Sequence, residues 1–154
     1  MYWLMKSEPS EMSIDDLKKH AKGTAPWTGV RNYQARNFMR DQMRSGDQAF
    51  FYHSSCEVPG IYGTVEILGP AFPDPTQFDS KDHYYDAKST PENPRWSSVD
   101  VKFQSKCEPI SISDLRSHPA LATMRVLQKG NRLSITPVSA AEWKYIAKLM
   151  KKMA

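Results

Sequence analysis

The chain has 154 residues, enough for one hydrophobic core and short for two, so a single domain over 1–154 is expected. Hydrophobic residues make up 40% and charged residues 25%, an ordinary globular balance, while eleven prolines and seven glycines argue against a plain helix bundle. A net charge of +4 with a pI near 9.0 is compatible with a polyanionic partner but too mild to demonstrate one.

Tyr2 to Lys6 reads as a first strand, ended by Pro9. Ser13-Ile14-Asp15-Asp16 is a capped start for a short helix through His20, and Gly23 breaks it. Trp27-Thr28-Gly29 forms a loop that runs into a helical stretch from Tyr33 to Met43. Ala35, Phe38, Met39 and Gln42 are expected on one side of it, and Arg36, Arg40 and Arg44 on a solvated face. Ser45-Gly46-Asp47 stops this helix. Gln48 to His53 reads as a strand buried on both sides, and Ile61 to Leu68 as the next. Gly69 to Ser98 is irregular and carries five prolines, Pro70, Pro73, Pro75, Pro91 and Pro94. Its aromatics, Phe72, Phe78, Tyr84, Tyr85 and Trp96, argue that it packs onto the body. Val99 to Phe103 alternates as a half-exposed strand, and Leu133 to Thr136 follows a turn at Lys129 to Arg132. Ser139-Ala140-Ala141-Glu142 is a capping box. The helix after it sets Trp143, Ile146, Ala147 and Met150 against the sheet and carries Lys148, Lys151 and Lys152. The order favours an α+β domain with a curved or barrel-like mixed sheet.

The residues that carry chemistry point to binding before catalysis. His53 and Cys56 lie close, but no second ligand pair has metal spacing, so no metal and no cofactor are expected. No nucleophile elbow, phosphate loop or dinucleotide fingerprint is present. Cys56 and Cys107 make no disulfide framework, no secretory signal pattern follows Met1, and no apolar run could cross a membrane. A reducing, cytoplasmic setting is the simplest expectation. By contrast, Trp27, Tyr33, Tyr84, Tyr85 and Trp96 supply flat surfaces, and Lys6, Arg31, Lys129 and Arg132 supply cations at element ends. Interleaved aromatics and cations are what recognition of an unstacked base requires. From spacing alone, Trp27 reads more readily as core than as a ligand wall.

Several stretches resemble the EVE domain family: Tyr2 to Pro9, Trp27 to Asn37, Phe50 to Ser54, Pro59 to Ile61, Tyr84 to Asp86, Asn93 to Trp96, Val99 to Val101 and Gly130 to Ser134. The chain is similar to a stand-alone bacterial member. The resemblance implies a PUA-like fold, a curved mixed β-barrel with flanking short helices, related to YTH domains. It implies a non-catalytic, monomeric reader of modified bases in DNA or RNA, with modified cytosine first and methyladenine second. It makes Trp27 the wall of an aromatic cage, leaving Tyr84, Tyr85 and Trp96 as candidates for the second wall. Thr28, Gly29, Tyr33, Ser7, Ser54 and Ser55 would shape the pocket or read the base edge, and Lys6, Arg31, Lys129 and Arg132 would hold phosphates. The alternatives are an enzyme acting on a nucleobase or small ligand through His53 or Cys56, and a protein-interaction module.

Overall fold

A computed structural model describes residues 1–153. The strands are β1 (Tyr2–Ser7), β2 (Thr24–Pro26), β3 (Gln48–His53), β4 (Gly60–Pro73), β5 (Ser97–Ser111), β6 (Ile135–Val138) and β7 (Lys152–Met153). They form one mixed sheet in the order β2-β5-β4-β3-β1-β6, with β7 paired to β5. Only β1 and β3 run parallel, because the long connection between them carries α1 (Ile14–Lys19), β2 and α2 (Tyr33–Asn37). Register shifts along β3, β4 and β5 bend the two long strands, as bulges do.

Alternation along the central strands divides the interior in two. Trp3 and Met5 of β1, with Ala49 and Phe51 of β3, join a core that includes Ile14, Leu17, Trp27, Val30 and Phe38. Leu4, Phe50 and Tyr52 point the other way, into a core closed by Leu115, Leu121, Trp143 and Ile146. β3 is therefore covered on both faces, as its apolar run implied. The last helix, α4 (Ala140–Leu149), starts at the expected capping box, and its Trp143 stacks on Phe50 at 4.1 Å between ring centroids.

Two expectations about helices are corrected. The second helix begins where expected, with the Asn32 side chain accepting from the Ala35 N–H, but its last turn is π-helical. Met43 N–H donates to Phe38 C=O at 2.8 Å, one residue further back than in an α-helix. The wider turn carries Met43 into the core and leaves Gln42 exposed, where an α-helical period reverses them. The final lysines also divide: α4 stops at Leu149, and Lys152 pairs with Cys107 in the sheet.

His53 shows how one end of the sheet is held. Its Nε2 accepts the Ile14 N–H at 3.1 Å, and its ring stacks on Tyr62 at 3.8 Å. The side chain thereby anchors the start of α1 and is committed to the fold. Burial pushes its pKa down to about 4 from an ordinary 6.5, so the folded state holds it neutral. A histidine neutral when folded and free to protonate when unfolded costs stability as pH falls from 6.5 towards about 4. Chemical denaturation across that window should show a midpoint falling with pH, and His53→Ala should flatten the His53 share of the slope. At neutral pH the same variant should lose about 1–3 kcal/mol, because the buried Ile14 N–H loses its acceptor.

Candidate functional site

A cavity of about 860 Å³ opens where the parallel strands end. Ser54 N–H donates to Ser7 C=O at 3.0 Å and closes the ladder of β1 and β3 at this edge. Four stretches line the cavity: Lys6 to Glu8 with Glu11 and Met12, Ala25 to Val30, Thr76 with Lys81 to Tyr84, and Arg132 with Ser134. Ser54 and His20 complete the lining.

Trp27 serves both the core and the cavity. It is 4% exposed and meets Phe51 edge to face at 5.4 Å, yet it lines the cavity. Its backbone is pinned, with the N–H on Val99 C=O and the C=O taking the Ser98 hydroxyl. Trp3 and Trp96 give their indole N–H groups to Asp47 and Asp86. The cavity therefore meets an aromatic residue held in place by the fold.

The opposite loop is tied down through Asp74, which is 0% exposed. One carboxylate oxygen accepts the Gly29 N–H at 2.8 Å and Arg31 Nη1 at 3.1 Å, and the other accepts from the Thr76 backbone and hydroxyl. Arg31 also donates to Val30 C=O, to the Thr76 hydroxyl and twice to Tyr84 C=O. All five guanidinium N–H groups are then spent inside the protein. The phosphate contact expected of Arg31 has no donor left, and the residue acts as a strut between two walls.

The strut also explains where the aromatic candidates fall. Arg31 lies between the rings of Tyr84 and Trp96, 5.4 and 5.3 Å from their centroids. Trp96 stacks on Tyr33 at 4.8 Å, and Arg36 covers Tyr33 at 4.7 Å. Only the Tyr84 end of this column reaches the cavity; Tyr33 and Trp96 are behind Arg31, outside the lining. Tyr84 packs its ring so closely on Gly29 that a Cβ there would lie 2.6 Å from it. With φ at +84°, Gly29 is the residue that permits both the turn and the approach. The Tyr84 hydroxyl donates to the Glu11 carboxylate, and burial together with that bond pushes the phenol pKa up.

The remaining expected residues divide in the same way. Thr28, Ser7, Ser54, Lys6 and Arg132 line the cavity, whereas Ser55, Tyr85 and Lys129 do not. Ser7 spends its hydroxyl on Met12 C=O at 2.7 Å, holding the adjacent loop. Lys6 and Arg132 have no acidic partner among the described residues, and burial lowers the Lys6 pKa. Asp74, Glu8, Glu11, Asp82, His20 and His83 were given no site role from the sequence. Asp74 and Glu11 gain theirs through partners distant along the chain, Gly29 and Arg31 for the first and Tyr84 for the second. No group of three metal-ligating side chains occurs among the described residues.

Fold and site together define a PUA-like α+β domain, a mixed sheet with a cavity at the end of its parallel pair. The chain belongs to the EVE domain family, whose model matches residues 1–149. Thymocyte nuclear protein 1 of Gallus gallus is 44% identical over 166 residues, covering 96% of this chain and 68% of that protein. An X-ray structure of a Pseudomonas syringae protein matches with TM-score 0.93 at 49% identity, covering 97% of this chain and 99% of the other. The crystal structure of human THYN1 protein in complex with 5-methylcytosine-containing DNA matches with TM-score 0.90 at 43% identity, covering 96% of each chain.

Two substitutions test this construction. Asp74→Ala removes the acceptor shared by Gly29 and Arg31, and should cost about 3–5 kcal/mol in denaturant unfolding. Gly29→Ala should cost about 1–2 kcal/mol for the left-handed backbone alone. It should also displace the ring at position 84, visible as increased iodide quenching of a fluorescent tyrosine analogue incorporated there.

Proposed function

We propose that this protein is a non-catalytic reader of DNA carrying a modified base, with 5-methylcytosine as the leading ligand. The observation that carries the reading is the cavity itself: Trp27 and Tyr84 line it, and so do the cations Lys6 and Arg132, which have no acidic partner among the described residues. The related human complex with 5-methylcytosine-containing DNA supports the choice of ligand. In this reading the base leaves its stack and lies against Trp27. Lys6 and Arg132 meet the flanking phosphates. His53, the base of an alternative hydrolytic reading, is occupied by the Ile14 N–H and lies outside the cavity lining.

Stacking contributes about 1–3 kcal/mol per base, while one buried methyl contributes only about 0.8 kcal/mol. The methyl group alone therefore gives roughly fourfold preference over plain cytosine. Trp27 is also core, so truncation to Ala would confound binding with stability. Trp27→Phe keeps an aromatic ring but removes stacking area and the N–H. Fluorescence anisotropy with 5-methylcytosine and plain duplexes should show it binding the modified duplex about three- to tenfold more weakly. Lys6→Gln and Arg132→Gln should weaken both duplexes alike, each lowering the slope of log affinity against log salt by about one. Unchanged affinities in all three variants would remove the cavity from the binding site.

A further inference from the structure

The 5-methyl group cannot identify methylcytosine by itself. Thymine carries a methyl at the same ring position, and any apolar contact that favours one favours the other equally. The two bases differ at ring position 4, where cytosine has an amino donor and thymine a carbonyl acceptor. A cavity that accepts methylcytosine from DNA therefore needs an acceptor that thymine would oppose.

Three carboxylates line the cavity, those of Glu8, Glu11 and Asp82. Asp82 spends an oxygen on the Tyr84 backbone N–H at 2.8 Å, within its own loop. Glu8 and Glu11 are both exposed, and the Glu8 side chain has no partner among the described residues, so nothing fixes its direction. Glu11 is different. Both of its oxygens lie within hydrogen-bond distance of the Tyr84 hydroxyl, at 2.7 and 2.6 Å. The phenol spans from Gly29, two residues after Trp27, to the Glu11 carboxylate, so it relates that carboxylate to the proposed base wall. One hydroxyl proton leaves most of the lone pairs of a carboxylate free to accept.

We infer that Glu11, held by Tyr84, is the specificity residue that accepts the 4-amino group of a methylated cytosine and rejects thymine. The inference rests on the base-reading role proposed for the same cavity. A carboxylate facing thymine would set two acceptors against each other, so neither gains a hydrogen bond from the contact. That arrangement separates the two bases, which a methyl contact does not.

The experiment uses the full chain and duplexes in which the test base stands opposite an abasic site, so that pairing strength is absent from every comparison. Competition anisotropy compares 5-methylcytosine, cytosine and thymine at that position. The wild type should bind 5-methylcytosine roughly tenfold more tightly than thymine. Glu11→Gln, whose amide can turn either a donor or an acceptor to the base, should bring that ratio to within about threefold while still binding 5-methylcytosine. Glu92→Gln, at an exposed glutamate outside the cavity, should leave the ratio unchanged. Tyr84→Phe removes only the hydroxyl that holds Glu11, and should lower the ratio as well, which keeps the test open if Glu11→Gln folds poorly.

A ratio preserved in Glu11→Gln, or in Tyr84→Phe should that variant be needed, overturns the inference. So does a wild type that prefers 5-methylcytosine to cytosine yet does not separate it from thymine; base reading then stands without Glu11. A wild type with no preference between 5-methylcytosine and cytosine sinks the proposed function itself, and this inference with it.

Discussion

The cavity depends on the buried carboxylate of Asp74. A charge removed from water survives only where donors replace its hydration. Asp74 finds them in the Gly29 N–H, the Arg31 guanidinium, and the backbone and hydroxyl of Thr76. Those donors come from two segments more than forty residues apart. Satisfying one acid thus joins the Trp27 loop to the long loop, and the space between them becomes the cavity. The same bonds consume the cation that, from the sequence, is expected to meet phosphate.

Arg31 extends this constraint into a column. Its guanidinium lies over the rings of Tyr84 and Trp96, and Trp96 stacks on Tyr33. Aromatic and guanidinium faces attract one another most when water is excluded. The column therefore makes the long loop rigid while offering only its Tyr84 end to a ligand. Aromatic residues of similar appearance in the sequence acquire two different physical jobs, one holding the loop and one facing the cavity. Beyond the column, Gln77 ties the loop backbone to Trp96, its amide donating to Asp74 and Trp96 carbonyls while its oxygen accepts the Trp96 N–H.

The cations divide by the same principle. Arg31 is paired and saturated within the protein, whereas Lys6 and Arg132 have no acid beside them among the described residues. An unpaired cation beside an aromatic cavity attracts a polyanion, while a paired one contributes little beyond the fold. Arg36 is likewise engaged, donating to the Asn37 side chain and to Arg95 C=O. Of the stripe at Arg36, Arg40 and Arg44, only the last two stay exposed.

Local rules were enough for the sheet's central strands, for the caps at Ser13 and Ser139, and for the apolar stripe that seats Trp143. Each rests on a pattern within a few residues, where backbone geometry dictates which side chains share a face. The Trp27 loop was legible as a candidate for the same reason, since an aromatic beside a flexible glycine is a local feature. Whether Trp27 belongs to core or cavity was not, because it does both, and only packing against Phe51 and the open space beside it reveal this. The π turn that exchanges Gln42 for Met43, the burial of Asp74, the saturation of Arg31 and the pairing of Tyr84 with Glu11 were decided by tertiary structure. Each depends on where distant segments are brought together, or on a backbone departure that residue spacing does not encode.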